Sequence, residues 1–161
     1  LFRDRFATPD GRARFHLVHH RDAVETPDDE YPYRLTTGRS RAHYQSGTQT
    51  RRTKALLDAE PEPVVEIHPD LAARLGVADG ADVLLRSRRG SARMRARLAS
   101  TIRPDTVFAP FHWSGGQTIN ALTNPALDPA SRMPEFKNCA VDVTAAPEDP
   151  LDPTAGEESP A

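Results

Sequence analysis

Apolar residues in this chain come in short bursts, and the spacing within each burst differs along the sequence. Ala13, Phe15 and Leu17 alternate with polar residues after a turn signal at Pro9-Asp10-Gly11, a pattern that predicts a strand. Residues 22–32 (DAVETPDDEYP) are acidic and hold two prolines, so they read as a connecting loop. Tyr33 to Thr37 is rich in strand formers and stops at Gly38. Val64 to Ile67 is a second strand. His68 to Gly76 has the marks of a short helix, with proline at its first position and glycine past its end. Asp82 to Arg88 and Ser91 to Ala99 flank Arg89-Gly90 as a hairpin, and Ala92, Met94, Ala96 and Leu98 alternate with Arg93, Arg95 and Arg97 in its second arm. Val107 to Phe111 and Cys139 to Val143 are the last strands, separated by a loop of the length that usually carries function. Many short strands, few short helices and no βαβ rhythm predict a mainly β fold, a barrel with short helical insertions.

The length of 161 residues suits one domain, and 15 prolines make it a loop-rich one. Three segments are expected: a lead-in strand and connecting loop over 1–32, the barrel over 33–146, and a disordered acidic tail over 147–161. That tail has five acidic groups, no basic group and no aromatic residue, too little apolar surface to offset its ordering entropy. No apolar run reaches the 18 or so residues of a membrane span, so no membrane partner and a cytoplasmic location are expected. The first residue, Leu1, suggests a fragment of a longer protein.

The net charge of -2 hides a segregation, since residues 34–103 carry 14 basic and 7 acidic groups. Such an excess serves an anionic ligand or simply forms a solvated arginine surface, and charge alone leaves both open. Residues 36–52 concentrate glycines for close backbone approach, hydroxyls and amides for hydrogen bonding, and four arginines. That mixture suits a pyrophosphate-linked cofactor as well as it suits a polar surface loop. Cys139 is the only cysteine, so this chain cannot hold a thiolate-ligated cluster alone, and its apolar strand makes it a buried small residue rather than a metal ligand.

Seven segments in fixed order carry a more specific signal: LTTGR at 35–39, HYQSGTQTRR at 43–52, EIHPDLAARLGVADGADV at 66–83, SRRG at 87–90, VFAPFHW at 107–113, NALTNPALDP at 120–129 and PEFKNCAVDV at 134–143. With these the sequence resembles the C-terminal domain of the bis-molybdopterin guanine dinucleotide oxidoreductases, the family of nitrate reductases, formate dehydrogenases and dimethyl sulfoxide reductase. FATPDGRARF at 6–15 and the HYQSGTQTRR wording are most similar to bacterial assimilatory nitrate reductases, and formate dehydrogenases use closely similar phrases. The resemblance implies a double-psi β-barrel that caps molybdopterin guanine dinucleotide. It further implies upstream domains that hold the molybdenum ligand and a 4Fe-4S cluster, an electron-donor protein as partner, and no nucleic acid.

Carried over residue by residue, the resemblance makes the run around Thr37, Gly38, Arg39, Ser40, His43, Tyr44, Gln45, Ser46, Thr48, Thr50 and Arg51 the main cofactor contact. Thr37, Gly38 and Arg39 would hold phosphates, while His43 and Ser46 would reach toward the pterin. Asn120 and Lys137 match two further contact positions; Lys137 is one of only two lysines in an arginine-rich chain. His112 would either face a substrate funnel, where a protonated ring attracts nitrate, or pack beside Trp113 and brace the barrel. No catalytic residue and no metal ligand is expected here, so the chain alone should be inactive. The alternatives are the same domain of a formate dehydrogenase, or a freestanding barrel that binds peptide or nucleic acid through Arg93, Arg95 and Arg97.

Overall fold

The computed structural model describes residues 2–146. Six strands close into a barrel in the order β1-β5-β2-β4-β3-β6. They are β1 (Tyr33–Gly38), β2 (Val64–Ile67), β3 (Asp82–Ser87), β4 (Gly90–Leu98), β5 (Thr106–Pro110) and β6 (Cys139–Ala145). β1 runs parallel to β5 and β2 parallel to β4, and every other neighbour is antiparallel. Two parallel pairs reached by crossovers and sealed by antiparallel neighbours make the double-psi β-barrel. Closure leaves the barrel without a free edge.

The alternation in sequence becomes inside and outside of the barrel. Leu35, Val65, Ile67, Val83, Leu85, Met94, Val107, Val141 and Val143 are buried in one cluster, each contributing about 1.5–3 kcal/mol on removal from water. Ala92 and Ala96 join them from β4, while Arg95 and Arg97 stand outside and Arg93 is half-buried. Helix α2 (Pro69–Leu75) caps this core with Leu71 and Ala72. The His68 ring accepts a hydrogen bond from the Asp70 amide at its start, and Gly76 ends it at φ +66°, a left-handed conformation that glycine adopts without strain.

Two expectations need correction. Among the described residues no strand forms before Tyr33: Phe15 is 100% exposed and Leu17 85%, because alternation makes a strand only where a partner edge exists, and residues 2–146 offer none to this segment. The hairpin loop is Arg88-Arg89 rather than Arg89-Gly90, since Gly90 pairs with Ser87 and the Ser87 hydroxyl accepts from the Arg89 amide. An unforeseen helix, α1 (Lys54–Ala59), follows the arginine-rich loop with no buried residue of its own. The expected acidic tail, 147–161, lies outside the described residues.

The acidic connecting loop has a definite role. Glu25 pairs with Arg88 at 3.0 Å and Arg89 at 2.7 Å, Asp28 pairs with Arg88, and the Arg88 guanidinium lies over the Tyr31 ring at 4.6 Å. The hairpin tip is thus neutralised by the strap that leads into the barrel.

Candidate functional site

Because β1 and β5 are parallel, their C-terminal ends deliver two loops to the same end of the barrel, residues 39–49 and 111–114. Gly38 sits where they part. A Cβ there would lie 2.7 Å from the Phe108 ring, so only glycine lets β1 run against it. Arg39 follows directly and is exposed.

His112 ties the loops together. It is 1% exposed; its Nε2 accepts from the Ser40 amide at 2.9 Å and its Nδ1–H donates to the Gln45 carbonyl at 2.6 Å. These partners fix the tautomer, with the proton on Nδ1. Burial pushes the His112 pKa down, against a smaller upward pull from the Gln45 carbonyl, so the ring is neutral near pH 7. Gly47, at φ +70°, passes so close that a Cβ would lie 2.9 Å from the His112 carbonyl oxygen. His43 braces the loop from the other side: Nε2–H donates to the Glu60 carbonyl at 2.8 Å, Nδ1 meets the Thr50 hydroxyl at 3.0 Å, and the ring stands edge-on to Trp113 at 5.1 Å.

The residues singled out from sequence therefore fall into two groups. His43, Thr50 and His112 are buried with their polar atoms engaged, so the expected reach of His43 toward a pterin and the charged funnel role of His112 give way to bracing. Thr37 belongs with them: its hydroxyl donates to the Phe136 carbonyl, and its own carbonyl accepts from Lys137 Nζ at 3.0 Å. That contact brings Lys137 across 100 residues to the root of the arginine loop, with its ammonium 5.5 Å over the Phe136 ring. Tyr44, Gln45, Ser46 and Thr48 are exposed on the loop, with Tyr44 bonded to Gln49 and Ser46 to Thr48. Arg51 leans on the Gly47 and Ser46 carbonyls at 3.4 and 3.5 Å.

A cavity of about 450 Å³ opens beside this loop, lined by Arg39, Ser40, Arg41, Glu60, Glu62, Phe108 and Trp113 among others. Ser40 Oγ and Glu60 Oε2 are buried and have no hydrogen-bond partner among the described residues. Arg39 and Arg41 have no carboxylate partner among the described residues, whereas Arg97, which also lines the cavity, is held by Glu66 at 2.6 Å. Glu60 and Glu62 were not foreseen. Their signal was the DAEPEP run at 58–63, acidic and rigid, directly after the arginine-rich segment. Asn120 lies apart in a second cavity of about 470 Å³ with Phe111, Asn124 and Phe136, next in sequence to Lys137. The end of β5 thus feeds Phe108 and Pro110 to one cavity while the next residue, Phe111, lines the other.

Cys139 is fully buried, its sulfur accepts the Asn124 amide, and burial pushes its thiol pKa up. A protonated, enclosed thiol suits packing and not ligation.

Comparison with known proteins agrees with this architecture. Residues 33–140 match the family model "Molydopterin dinucleotide binding domain". The chain is 45% identical over 143 residues to the assimilatory nitrate reductase catalytic subunit of Bacillus subtilis (strain 168), covering 88% of this chain and 20% of that protein. It is 43% identical over 143 residues to the F420-dependent formate dehydrogenase subunit alpha of Methanocaldococcus jannaschii, covering 89% and 21%. The chain spans about a fifth of the length of these relatives. Acetylene hydratase from Pelobacter acetylenicus shares the fold, with a TM-score of 0.64 at 21% identity over 72% of this chain and 18% of that one.

Proposed function

We propose, from the premise that this chain belongs to the molybdopterin dinucleotide-binding family, that it grips the guanine dinucleotide limb of the cofactor within a larger molybdenum oxidoreductase, one that reduces nitrate to nitrite. One arrangement carries the reading: Arg39 and Arg41, with no carboxylate partner among the described residues, share a cavity with two orphaned polar atoms, Ser40 Oγ and Glu60 Oε2. A pyrophosphate supplies the negative charge and acceptor oxygens that the arginines lack. A nitrogen-rich ring supplies N–H donors for the Glu60 carboxylate, and the Ser40 hydroxyl serves either end. Each well-formed charge-assisted hydrogen bond is worth about 1.5–3 kcal/mol. The loop is already braced by His43 and His112, so little of that is lost to ordering on binding.

When bound, the cofactor's molybdenum supplies the two-electron chemistry that removes an oxygen atom from nitrate. This chain binds and orients the dinucleotide. Arg39 and Arg41 neutralise its phosphates, the exposed Tyr44, Gln45, Ser46 and Thr48 add polar contacts, and Asn120 and Lys137 receive the part that reaches the second cavity. With a single buried cysteine, the chain leaves the 4Fe-4S cluster and the electron-donor contact to upstream domains. Among the described residues no helix is long and apolar enough to cross a membrane, and the reading places the parent in the cytoplasm with neither membrane nor nucleic acid as partner.

A second reading, the same domain of a formate dehydrogenase, is favoured by the 43% identity to the Methanocaldococcus jannaschii subunit. Purification of the polypeptide that carries this segment tests both. Stoichiometric molybdenum, guanosine monophosphate released by acid hydrolysis, and nitrate reduction with a viologen donor are expected; formate oxidation in place of nitrate reduction selects the second reading. The 161-residue chain alone should reduce neither. Absence of molybdenum and of nucleotide from the native polypeptide would overturn the proposal.

A further inference from the structure

The stretch from Ala13 to Ala23 stands apart from the rest of the molecule. Its two ends are fixed: the Thr8–Arg12 turn closes through Gly11 N–H to the Thr8 carbonyl, the Thr8 hydroxyl to the Arg12 carbonyl and Arg12 N–H to Asp10. At the other end the Val24 amide donates to Glu135, and Glu25 holds Arg88 and Arg89. Between these anchors no backbone N–H or C=O makes a hydrogen bond among the described residues. Phe15, Leu17 and Val18 are 100%, 85% and 83% exposed. Ala13, Phe15 and Leu17 fall on alternate positions, the period of one strand face, and Arg12, Arg14 and His16 fall on the opposite one, with no acidic residue in 12–21.

A strand with an apolar face, a basic face and every ladder bond unmade is complementary to an open sheet edge that has an apolar surface on one side and acidic groups on the other. We propose that residues 13–18 add as a β-strand to such an edge in another domain of the same polypeptide, and that this strand docks the barrel onto the rest of the protein. A match of 143 residues cannot fit between Tyr33 and residue 161, so in both relatives it runs into this lead-in segment, and both are more than four times as long as the chain. The lead-in strand that the alternation predicts is then a strand whose partner lies beyond residues 2–146. This inference rests on the reading above that the chain works inside a larger enzyme.

The test is amide hydrogen exchange on the full polypeptide, measured at two protein concentrations a hundredfold apart, with bound nucleotide assayed on the same sample. Protection of alternate amides within 13–18 by tenfold or more over unstructured rates, equal at both concentrations, is the expected result. A Leu17→Pro variant, which cannot make its ladder bond, should lose that protection while the barrel amides of β3 and β4 keep theirs. Exchange at unstructured rates in a polypeptide that does contain the dinucleotide would overturn the docking strand and leave the cofactor reading standing. Protection in a polypeptide without dinucleotide would do the reverse. Protection that vanishes on dilution would assign the strand to a second copy of the chain and overturn the proposal.

Discussion

The outer face of β4 and the loop after β1 both present closely spaced arginines, in opposite surroundings. On β4, Arg93 lies 2.8 Å from Asp82, Arg95 3.4 Å from Glu62 and Arg97 2.6 Å from Glu66. Each cation faces an acid supplied by a neighbouring strand or the approach to one. In the loop, Arg39, Arg41 and Arg52 have no carboxylate partner among the described residues, and two of them border the cavity where Ser40 Oγ and Glu60 Oε2 are orphaned. The density of arginine is similar in the two places, and its balance is not. An anion site is marked by positive charge left uncompensated beside unmet hydrogen bonds, and a run of cations in sequence marks nothing by itself.

The largest expected effect comes from removing the brace that keeps the loop arginines in place. His112→Ala leaves the Ser40 amide and Gln45 carbonyl unpaired and opens a cavity, which should cost about 3 kcal/mol of stability in chemical denaturation. Cofactor retention should fall with it. Arg39→Ala separates binding from folding: affinity for the dinucleotide should drop by about 1.5–3 kcal/mol, while the denaturation midpoint stays in place because the side chain is exposed and unpaired.

Acidification sharpens the same contrast. His112 is neutral in the fold and its pKa lies below the ordinary value near 6.5. Above that value both states hold the ring neutral and its contribution is complete. As pH falls below about 6.5 the unfolded chain takes up a proton that the folded chain refuses, so stability and dinucleotide retention should both decline on the acid side. Denaturation midpoints at pH 8, 6.5 and 5 measure this, and the slope should flatten in a His112→Gln variant. The paired arginines offer no counterpart. Arg95→Ala should change stability by no more than about 0.5 kcal/mol and leave cofactor content unchanged, because exposed ion pairs of this kind contribute little.

Local signals made part of this legible in the sequence. Val64–Ile67 is an apolar burst bounded by prolines, and α2 has Pro69 at its start and Gly76 at its end, so both elements were read with their limits. The β3–β4 hairpin was found, one residue out of register, because it is the only pair of neighbouring strands consecutive in the chain. Helix α1 has no buried residue and no side-chain cap, so neither periodicity nor capping announced it. The strand expected at Ala13 to Leu17 had the right alternation and no partner. Alternation shows which face a strand would bury, not what would bury it.

The site was half legible for a related reason. Residue types pointed to the 36–52 loop, where glycines, hydroxyls and guanidiniums gather. Which of them face a ligand is decided from far away in the chain: His112 takes up the Ser40 amide 72 residues distant, and the Glu60 carbonyl takes up His43. His43, Thr50 and Arg39 all look like contacts in the sequence, and the fold uses the first two as braces.

The most direct test of this account compares Arg39→Ala with Arg95→Ala in the full polypeptide, purified side by side, with guanosine monophosphate released by acid hydrolysis counted per chain. The account expects Arg39→Ala to bind the dinucleotide about tenfold or more weakly and Arg95→Ala to match the unaltered protein. Equal retention in both variants, or a greater loss from Arg95→Ala, would contradict it and return the barrel's basic wall to consideration as the binding face.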